Sequence, residues 1–388
     1  MSPKPLRVAV MLDIEVAYRR HTDAFAGIIS YAQGQDWEVS VDEYADDTLP
    51  GRRTKAFAYD GVIARATRKL YERASRLGVP VVNLWNNSPV RDRLPGVFSD
   101  HKKSGRLRAE HLLSRGLSHF GALTSRTRGQ EIELKSFCDT ISEAGYSCIT
   151  AASPLIATKP LSNWRRTEQA VANWMERFDP PIGVYVGNDT VGRIVAQICR
   201  QRGLRVPEDV AIVAGWNEPT FCEQPPPSLT SIDLDVERIG HEAARLLHSL
   251  MDGDPPPSEH ILLPPKGLVI RESTDFIAVE DEQVAEAIRF IAANSHRRIG
   301  PNEVARAVNA NTRTLQLRFH KHLNRPIAAE IRRQRIERAK RELTQSKRRL
   351  SDIARDVGFG QAMRMYEIFR RELGVSPSEY RKQRHAES

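Results

Sequence analysis

Residues placed to make or break bonds are scarce in this chain of 388 residues. Nucleophilic catalysis needs a nucleophile beside a base, and phosphate binding needs glycines that let backbone N–H groups close on the anion. The sequence holds no P-loop, no GxSxG, no HExxH and no GxGxxG. His241 and Glu242 open the string HEAAR, but Arg245 stands where a second zinc-ligating histidine would be needed. The eleven histidines are scattered, and none pairs with a nucleophile and an acid. Cys138, Cys148, Cys199 and Cys222 form no CxxC and read as buried or half-buried thiols in a reducing compartment. These absences argue against an enzyme, a metal site or a cofactor. What the chain does concentrate is positive charge. From Phe276 to Ser388 there are 24 Lys and Arg against 14 Asp and Glu, while the rest of the chain has 34 against 35. A near-neutral body with a compact basic end predicts a polyanion-binding module.

The elements that must position this charge follow from periodicity. The length calls for two or three domains. From residue 6 to about 275, short apolar runs alternate with amphipathic helical patterns. RVAVML, WEVSVDEY, GVIA, VPVVNL, HFGALTS, YSCITA, IGVYVG and DVAIVAGW read as strands. Between them, stretches such as KLYERASRLG, SGRLRAEHLLSRG, EQAVANWMERF, VGRIVAQICRQRG and ERIGHEAARLLHSLMDG read as helices. Such alternation predicts βαβ units in parallel sheets, with a count that suits two Rossmann-like lobes, and ligands then bind beyond the carboxyl ends of the strands. DPPPSEHILLPPKG is a Pro-rich segment near the end of this region. From about Val279 only helical patterns remain, so the domains are expected at 1–276 and 277–388. No apolar run approaches the roughly 20 residues of a membrane helix, and VAVML near the start is too short for a secretory core. The chain is therefore expected in the cytoplasm, with no membrane partner.

The basic end carries two helix-turn-helix patterns. In PNEVARAVNANTRTLQLRFHKHL, Pro301 suits a first helical position, Val304, Ala305 and Val308 face inward, and Asn309 to Asn311 can make the turn. Leu315, Phe319 and Leu323 form the stripe of the next helix. In LSDIARDVGF followed by QAMRMYEIFRRELG, Ser351 can cap the helix start and Gly358 supplies the turn. Met365, Ile368, Phe369 and Leu373 form the second buried stripe. AAEIRRQRIERAKREL lies between them as a helix with a basic, exposed face. One such hairpin is a weak signal. Two on a rigid linker can enter successive major grooves, roughly 34 Å apart, and this predicts double-stranded DNA as the partner.

RTLQLRFHKHL, RIERAKREL, LSDIARDVGF and above all FRRELGVSPSEYR make residues 285 to 384 resemble the AraC/XylS DNA-binding domain. That resemblance implies base-edge readers at Arg313, Thr314, Gln316 and Leu317, and at Met363, Arg364, Tyr366 and Glu367. It places Arg318, Lys321 and the Arg332/Arg333/Arg335 group on phosphates or neighbouring protein. Glu367 departs from the family, which usually has arginine there. A carboxylate accepts from cytosine N4 and cannot donate to guanine.

AEHLLSRGLSHFGALTS, VGNDTVGRIVAQICRQRGLRVPEDVAIVAGWNEP and LTSIDLDVERIGHEAARLL resemble the ligand-binding domain of LacI/GalR regulators and periplasmic sugar-binding proteins. The implied fold class is α/β, a two-lobed periplasmic-binding-protein-like sensor of two Rossmann-like subdomains, followed by an all-α domain with two helix-turn-helix motifs. In such a cleft charged and amide groups hold a polyol, and an aromatic face covers its C–H surface. The positions that correspond are Asp13, Arg19, Trp85, Asn86, Arg126, Trp164, Asp189, Trp216, Asn217 and Asp233. Asp189 is the foremost of these, its alternative role being to cap the helix that starts at Thr190. Trp216 departs from the family, where an acid or a small residue is usual. Trp37 and Trp174 sit in amphipathic patterns and are expected in the core. The resemblance implies a DNA-binding regulator of a sugar-utilisation operon, probed by xylose or another monosaccharide. It implies a homodimer that acts more often as an activator, and then meets RNA polymerase. The alternative is a DNA-binding dimer whose N-terminal domain takes no small ligand.

Overall fold

The structure, a computed structural model, describes residues 5–14, 19–50, 59–153, 161–276, 281–323, 325–346 and 348–386. The chain divides into two compact units between Asp275 and Phe276.

The first unit opens with β1 (Leu6–Met11), α1 (Arg19–Ala32), β2 (Trp37–Val41), α2 (Ala45–Thr48), β3 (Gly61–Ala64), α3 (Arg68–Leu77), β4 (Val81–Asn83) and β5 (Val97–Ser99). It continues with α4 (His101–Leu113), β6 (His119–Thr124), α5 (Arg128–Glu143), β7 (Cys148–Ala152), α6 (Leu161–Met175), β8 (Ile182–Val186), α7 (Asp189–Gln201), β9 (Val210–Val213), α8 (Pro219–Cys222) and β10 (Ser231–Asp233). It ends with α9 (Val236–Met251), β11 (Ile261–Leu263) and β12 (Gly267–Val269). One lobe has the parallel sheet β2-β1-β3-β4 and the other the parallel sheet β7-β6-β8-β9. The strands β3, β8 and β9 are buried along their whole length. Helices cover both faces of a parallel sheet, which is why these strands are continuous apolar runs without polar alternation.

After β10 the chain returns to the first lobe. There α9 crosses α1 so closely that a Cβ on Gly27 would lie 1.8 Å from the Glu237 carbonyl oxygen, and one on Gly240 1.9 Å from that of Ala24. Ile239, Ala243 and Leu247 of α9 join Val8, Val10, Ile28 and Ile63 in one core. Next, β11 pairs in parallel with β5, and β12 pairs antiparallel with β10. The lobes are thus joined at 99–101, 233–236 and 263–267. Sequence patterns did not reveal β5, β10, β11 and β12, because three residues are too few to display a period. Of the tryptophans expected in the core, Trp174 is buried and donates its indole N–H to the Ile149 carbonyl at 3.0 Å. Trp37 is only half-buried, edge-on to Tyr31 and His248.

His111 of α4 is buried and meets Thr274 Oγ1 at 2.8 Å. Burial, helped by the Arg115 charge, depresses its pKa to about 3. The unfolded chain takes up this proton near pH 6.5, whereas the folded chain refuses it until about pH 3. The contribution is therefore full above pH 6.5 and is lost as pH falls from there towards 3. Unfolding midpoints in urea should show the first unit roughly 2 kcal/mol less stable at pH 5 than at pH 7 from this group. A midpoint independent of pH over that range would contradict the assignment.

The second unit holds α10 (Glu282–Asn294), α11 (Pro301–Ala307), α12 (Thr312–Leu323), α13 (Ile327–Gln345), α14 (Leu350–Asp356), α15 (Ala362–Leu373) and α16 (Pro377–Ala386). It has two cores on one shaft. Ile327 and Ile331 of α13 pack with α10, α11 and α12, while Ile336, Ala339 and Leu343 pack with α14 and α15. The turns come at Asn309, with φ 51°, and at Gly358, with φ 93°. Asn tolerates this left-handed geometry and Gly adopts it without strain.

Two expectations are corrected here. Ser351 does not cap α14: the N-cap is Arg349, with no side-chain cap bond, and Ser351 lies inside the helix. The basic face of α13 is not simply exposed. Arg335 donates to the carbonyls of Ser295 (2.8 Å) and Arg297 (2.9 Å), and Arg338 to that of Ala292 (2.9 Å). These bonds satisfy carbonyls at the C-terminal end of α10 that have no helical partner. Arg333 bonds Glu330, which is buried. A sequence window shows the charges of α13 but not the carbonyls that another helix turns towards them.

Candidate functional site

In the first unit, parallel strands bring their carboxyl ends to a common edge of each sheet. Asp13 follows β1, Arg65 follows β3, and Trp85 and Asn86 follow β4. A cavity of about 220 Å³ lies there, lined by Met11, Asp13, Glu43, Asp46, Arg65, Thr67 and Trp85. The Arg65 guanidinium pairs with the Asp13 carboxylate and lies 5.0 Å from the centre of the Trp85 ring. Asp13 takes a left-handed backbone, φ 55°, and its N–H and that of Ile14 donate to the Glu43 carboxylate at 2.8 and 2.9 Å. The cavity gathers an indole, carboxylates and a guanidinium, group types that a polyol site uses, with Arg65 already lying over the indole and paired with Asp13. Arg65 and Glu43 were missed in the sequence. Arg65 obeys the same strand-end rule as Asp13, so a signal existed for it. Glu43 had none.

Asn86 accepts from Arg91 Nε at 3.0 Å, and its buried Nδ2 has no partner among the described residues. Arg19 is exposed and lies 3.4 Å from Asp23, and Arg126 is exposed at the end of β6. Asp233 accepts the Asp235 N–H at 3.0 Å. The side chain of Trp164 lies outside the described residues, although its backbone falls in α6.

The other lobe's edge is organised by Asp189, which is only 3 % exposed. The helix cap is Asn188, whose side chain accepts the Val191 N–H, so the capping role considered for Asp189 is not its own. Instead its Oδ2 accepts the N–H groups of Trp216 (3.1 Å) and Glu218 (3.0 Å), and its Oδ1 accepts from Ser231 (2.9 Å). Three donors leave little of the carboxylate for a ligand. Its evident work is to hold the loop that carries Trp216 and Asn217. Asn217 is left-handed, φ 59°, and its side-chain oxygen accepts from Arg271 at 2.7 Å. The lobes meet above this loop, where the Arg20 guanidinium of α1 lies 4.7 Å from the centre of the Trp216 ring.

Beneath lies a charged cluster that the sequence did not reveal. Arg108 and Glu133 are both fully buried and paired at 3.0 Å. Glu133 also accepts from Tyr185 Oη at 2.5 Å and meets His101 Nδ1 at 2.9 Å. Arg108 donates onward to the Gly215 carbonyl at 2.5 Å. Burial alone would raise the Glu133 pKa. The Arg108 charge and the bonds from His101 and Tyr185 outweigh it and lower the value to about 2.

In the second unit, α12 buries Leu315 and Phe319 and exposes Arg313, Thr314, Leu317 and Lys321, with Gln316 half-exposed. In α15, Met365, Ile368 and Phe369 are buried while Met363, Arg364, Tyr366 and Glu367 are exposed. Leu317 and Met363 are each 66 % exposed, and Tyr366 is 44 % exposed. An apolar tip on an otherwise polar helix face suits the thymine methyl in the major groove. Arg318 is engaged within the unit, 2.9 Å from Gln283 and 3.3 Å from Asp281. It braces α12 against the start of α10.

Comparison with known proteins matches residues 109–274 to the periplasmic binding protein-like domain family and residues 304–383 to a helix-turn-helix domain family. The xylose operon regulatory protein of Escherichia coli (strain K12) is 25% identical over 389 residues, covering 98% of this chain and 98% of that protein. Its counterpart in Haemophilus influenzae is 24% identical, covering 98% of this chain and 99% of that one. The solved structure of the xylose-binding transcription activator XylR superposes with a TM-score of 0.70 at 22% identity, over 99% of both chains. The cellobiose complex of the regulator CelR gives 0.56 at 20% identity, over 70% of this chain and 84% of that one. Among the described residues no helix is long and apolar enough to cross a membrane.

Proposed function

We propose that this chain, a periplasmic-binding-protein-like domain followed by an AraC-type helix-turn-helix domain, is a ligand-responsive transcription regulator of a sugar-utilisation operon. The observation that carries the reading is a single chain with a polar, indole-lined cavity at its strand ends and two exposed reader helices. Similarity over almost the full length to xylose operon regulators supports it. The proposed effector is xylose or another monosaccharide, held by Asp13, Arg65, Trp85 and Asn86 from one lobe and by Trp216 and Asn217 from the other. Arg19, Arg126 and Asp233 would edge the site. Asp189 serves it by shaping the Trp216 loop. The proposal includes a cytoplasmic homodimer that activates transcription through RNA polymerase and has no catalytic role.

The test is a thermal-shift screen of the full chain against pentoses, hexoses and uronic acids. A ligand at 100 times its dissociation constant should stabilise the first unit by roughly 2.7 kcal/mol. A flat response across the panel would leave the DNA-binding reading alone. For the reader, Arg313→Ala should cost about 1–3 kcal/mol of operator affinity and relax specificity at one position of the site. Equal weakening on all sequences would make Arg313 a phosphate contact instead.

A further inference from the structure

We infer that Glu133 is a positioning residue that holds the effector loop of one lobe in register with the first crossover and the Asn86 side of the other. The inference rests on the sensor reading above, because it concerns the same cleft.

Hydrogen bonds run from the first crossover through Glu133 and Arg108 to the loop of Trp216, and Asn86 of the other lobe stands beside Gly129 without bonding the cluster. His101 is the first residue of α4, directly after the crossover at 99–101, and its ring meets Glu133 Oε1 at 2.9 Å. The far side of that ring lies against Gly129, where an added Cβ would stand 2.7 Å from His101 Nε2 and 3.1 Å from Asn86 Nδ2. The other Glu133 oxygen receives both Arg108 and Tyr185. Arg108 stacks on the Tyr185 ring at 4.6 Å and reaches the carbonyl of Gly215, the residue before Trp216. Asp189 then takes the Trp216 N–H. Helix α5 packs directly on α4, so closely that a Cβ on Gly105 would lie 2.2 Å from the Glu133 carbonyl oxygen.

An ordinary core would fill this place with apolar side chains at no electrostatic cost. Burying a carboxylate and a guanidinium is costly unless their partners are placed; Arg108 Nε is buried without one among the described residues, and the bonds made by its two terminal nitrogens still leave the cluster few geometries. That intolerance suits a part that must fix one loop relative to one crossover. The partners divide accordingly: Arg108 meets the loop, His101 the crossover and Tyr185 the sheet.

The test uses the full chain with Glu133→Gln, which keeps shape and removes charge, and with Tyr185→Phe, which deletes one hydroxyl and spares the Arg108–Glu133 pair. Amide hydrogen exchange is followed without sugar at residues 213–221 and at 119–126. Titration with D-xylose, or with the sugar that shifts the wild type, gives the effector affinity. The expected result is exchange at 213–221 at least tenfold faster with 119–126 unchanged, and a sugar affinity about tenfold weaker. Tyr185→Phe should show the same direction if Glu133→Gln fails to fold. Exchange at 213–221 that stays slow, or that rises equally throughout the lobe, overturns the inference and makes the cluster simple core. If the loop loosens but the wild type binds no sugar, the positioning role stands and the effector reading falls.

Discussion

Arg108→Ala is expected to lower the stability of the first unit by about 3–5 kcal/mol at pH 7. The side chain is 0% exposed, and its removal leaves the equally buried Glu133 carboxylate without its cation and the Gly215 carbonyl without a donor. For a unit of this size each kcal/mol moves the melting temperature by roughly 2–4 °C, so a drop of about ten degrees is expected. The pH dependence identifies the cause. In the native protein Glu133 sits near pKa 2 against an ordinary 4.5, so its stabilisation is present above pH 4.5 and is lost as pH falls towards 2. In the variant the orphaned acid is raised by burial and takes up a proton more readily. The deficit of Arg108→Ala should therefore narrow between pH 7 and 4. Arg108→Met combined with Glu133→Leu and Tyr185→Phe should cost less than Arg108→Met alone, because no buried charge is stranded. A deficit below 1 kcal/mol, or one that widens in acid, contradicts this account.

Operator affinity of the full chain is expected to fall by about three decades or more between 50 and 200 mM salt. Each phosphate contact contributes about −0.9 to the slope of log affinity against log salt, and six contacts suffice for such a loss. Among the described residues, several cations in the densest basic string, that of α13, are engaged within the unit. Arg335, Arg338 and Arg333 of α13 bond carbonyls or Glu330 within the unit, and Arg318 bonds Gln283 and Asp281. Arg313 and Lys321 on α12 and Arg364 on α15 are exposed. Lys321→Ala should thus reduce the slope by about one, weakening all sequences alike. Arg335→Lys should leave the slope unchanged while lowering the melting temperature. A slope that is flat, or that drops on Arg335→Lys, would reverse this division of labour.

The alternation of buried runs and amphipathic helices determined the two-lobed α/β unit, because a strand covered on both faces has to be apolar throughout. The spacings Val304–Val308 and Ile353–Val357, with Asn309 and Gly358 behind them, determined the helix-turn-helix units, since backbone turns of that hand need those residue types. The resemblance to a two-lobed binding domain put Asp13, Trp85, Asn86, Trp216 and Asn217 at strand ends, and the parallel sheets bring such ends to one edge of each lobe. Tertiary structure decided which polar groups are already engaged. Asp189 stands at a strand end like the others, yet its carboxylate is surrounded by the N–H groups of a loop 27 and 29 residues further along the chain. Arg335 looks like its neighbours in a basic string, yet it closes a helix 40 residues earlier. Arg108, Glu133, Tyr185 and Gly215 come from different elements with no shared period. The partner of a buried charge is chosen by the fold, and local pattern carries no information about contacts made across it.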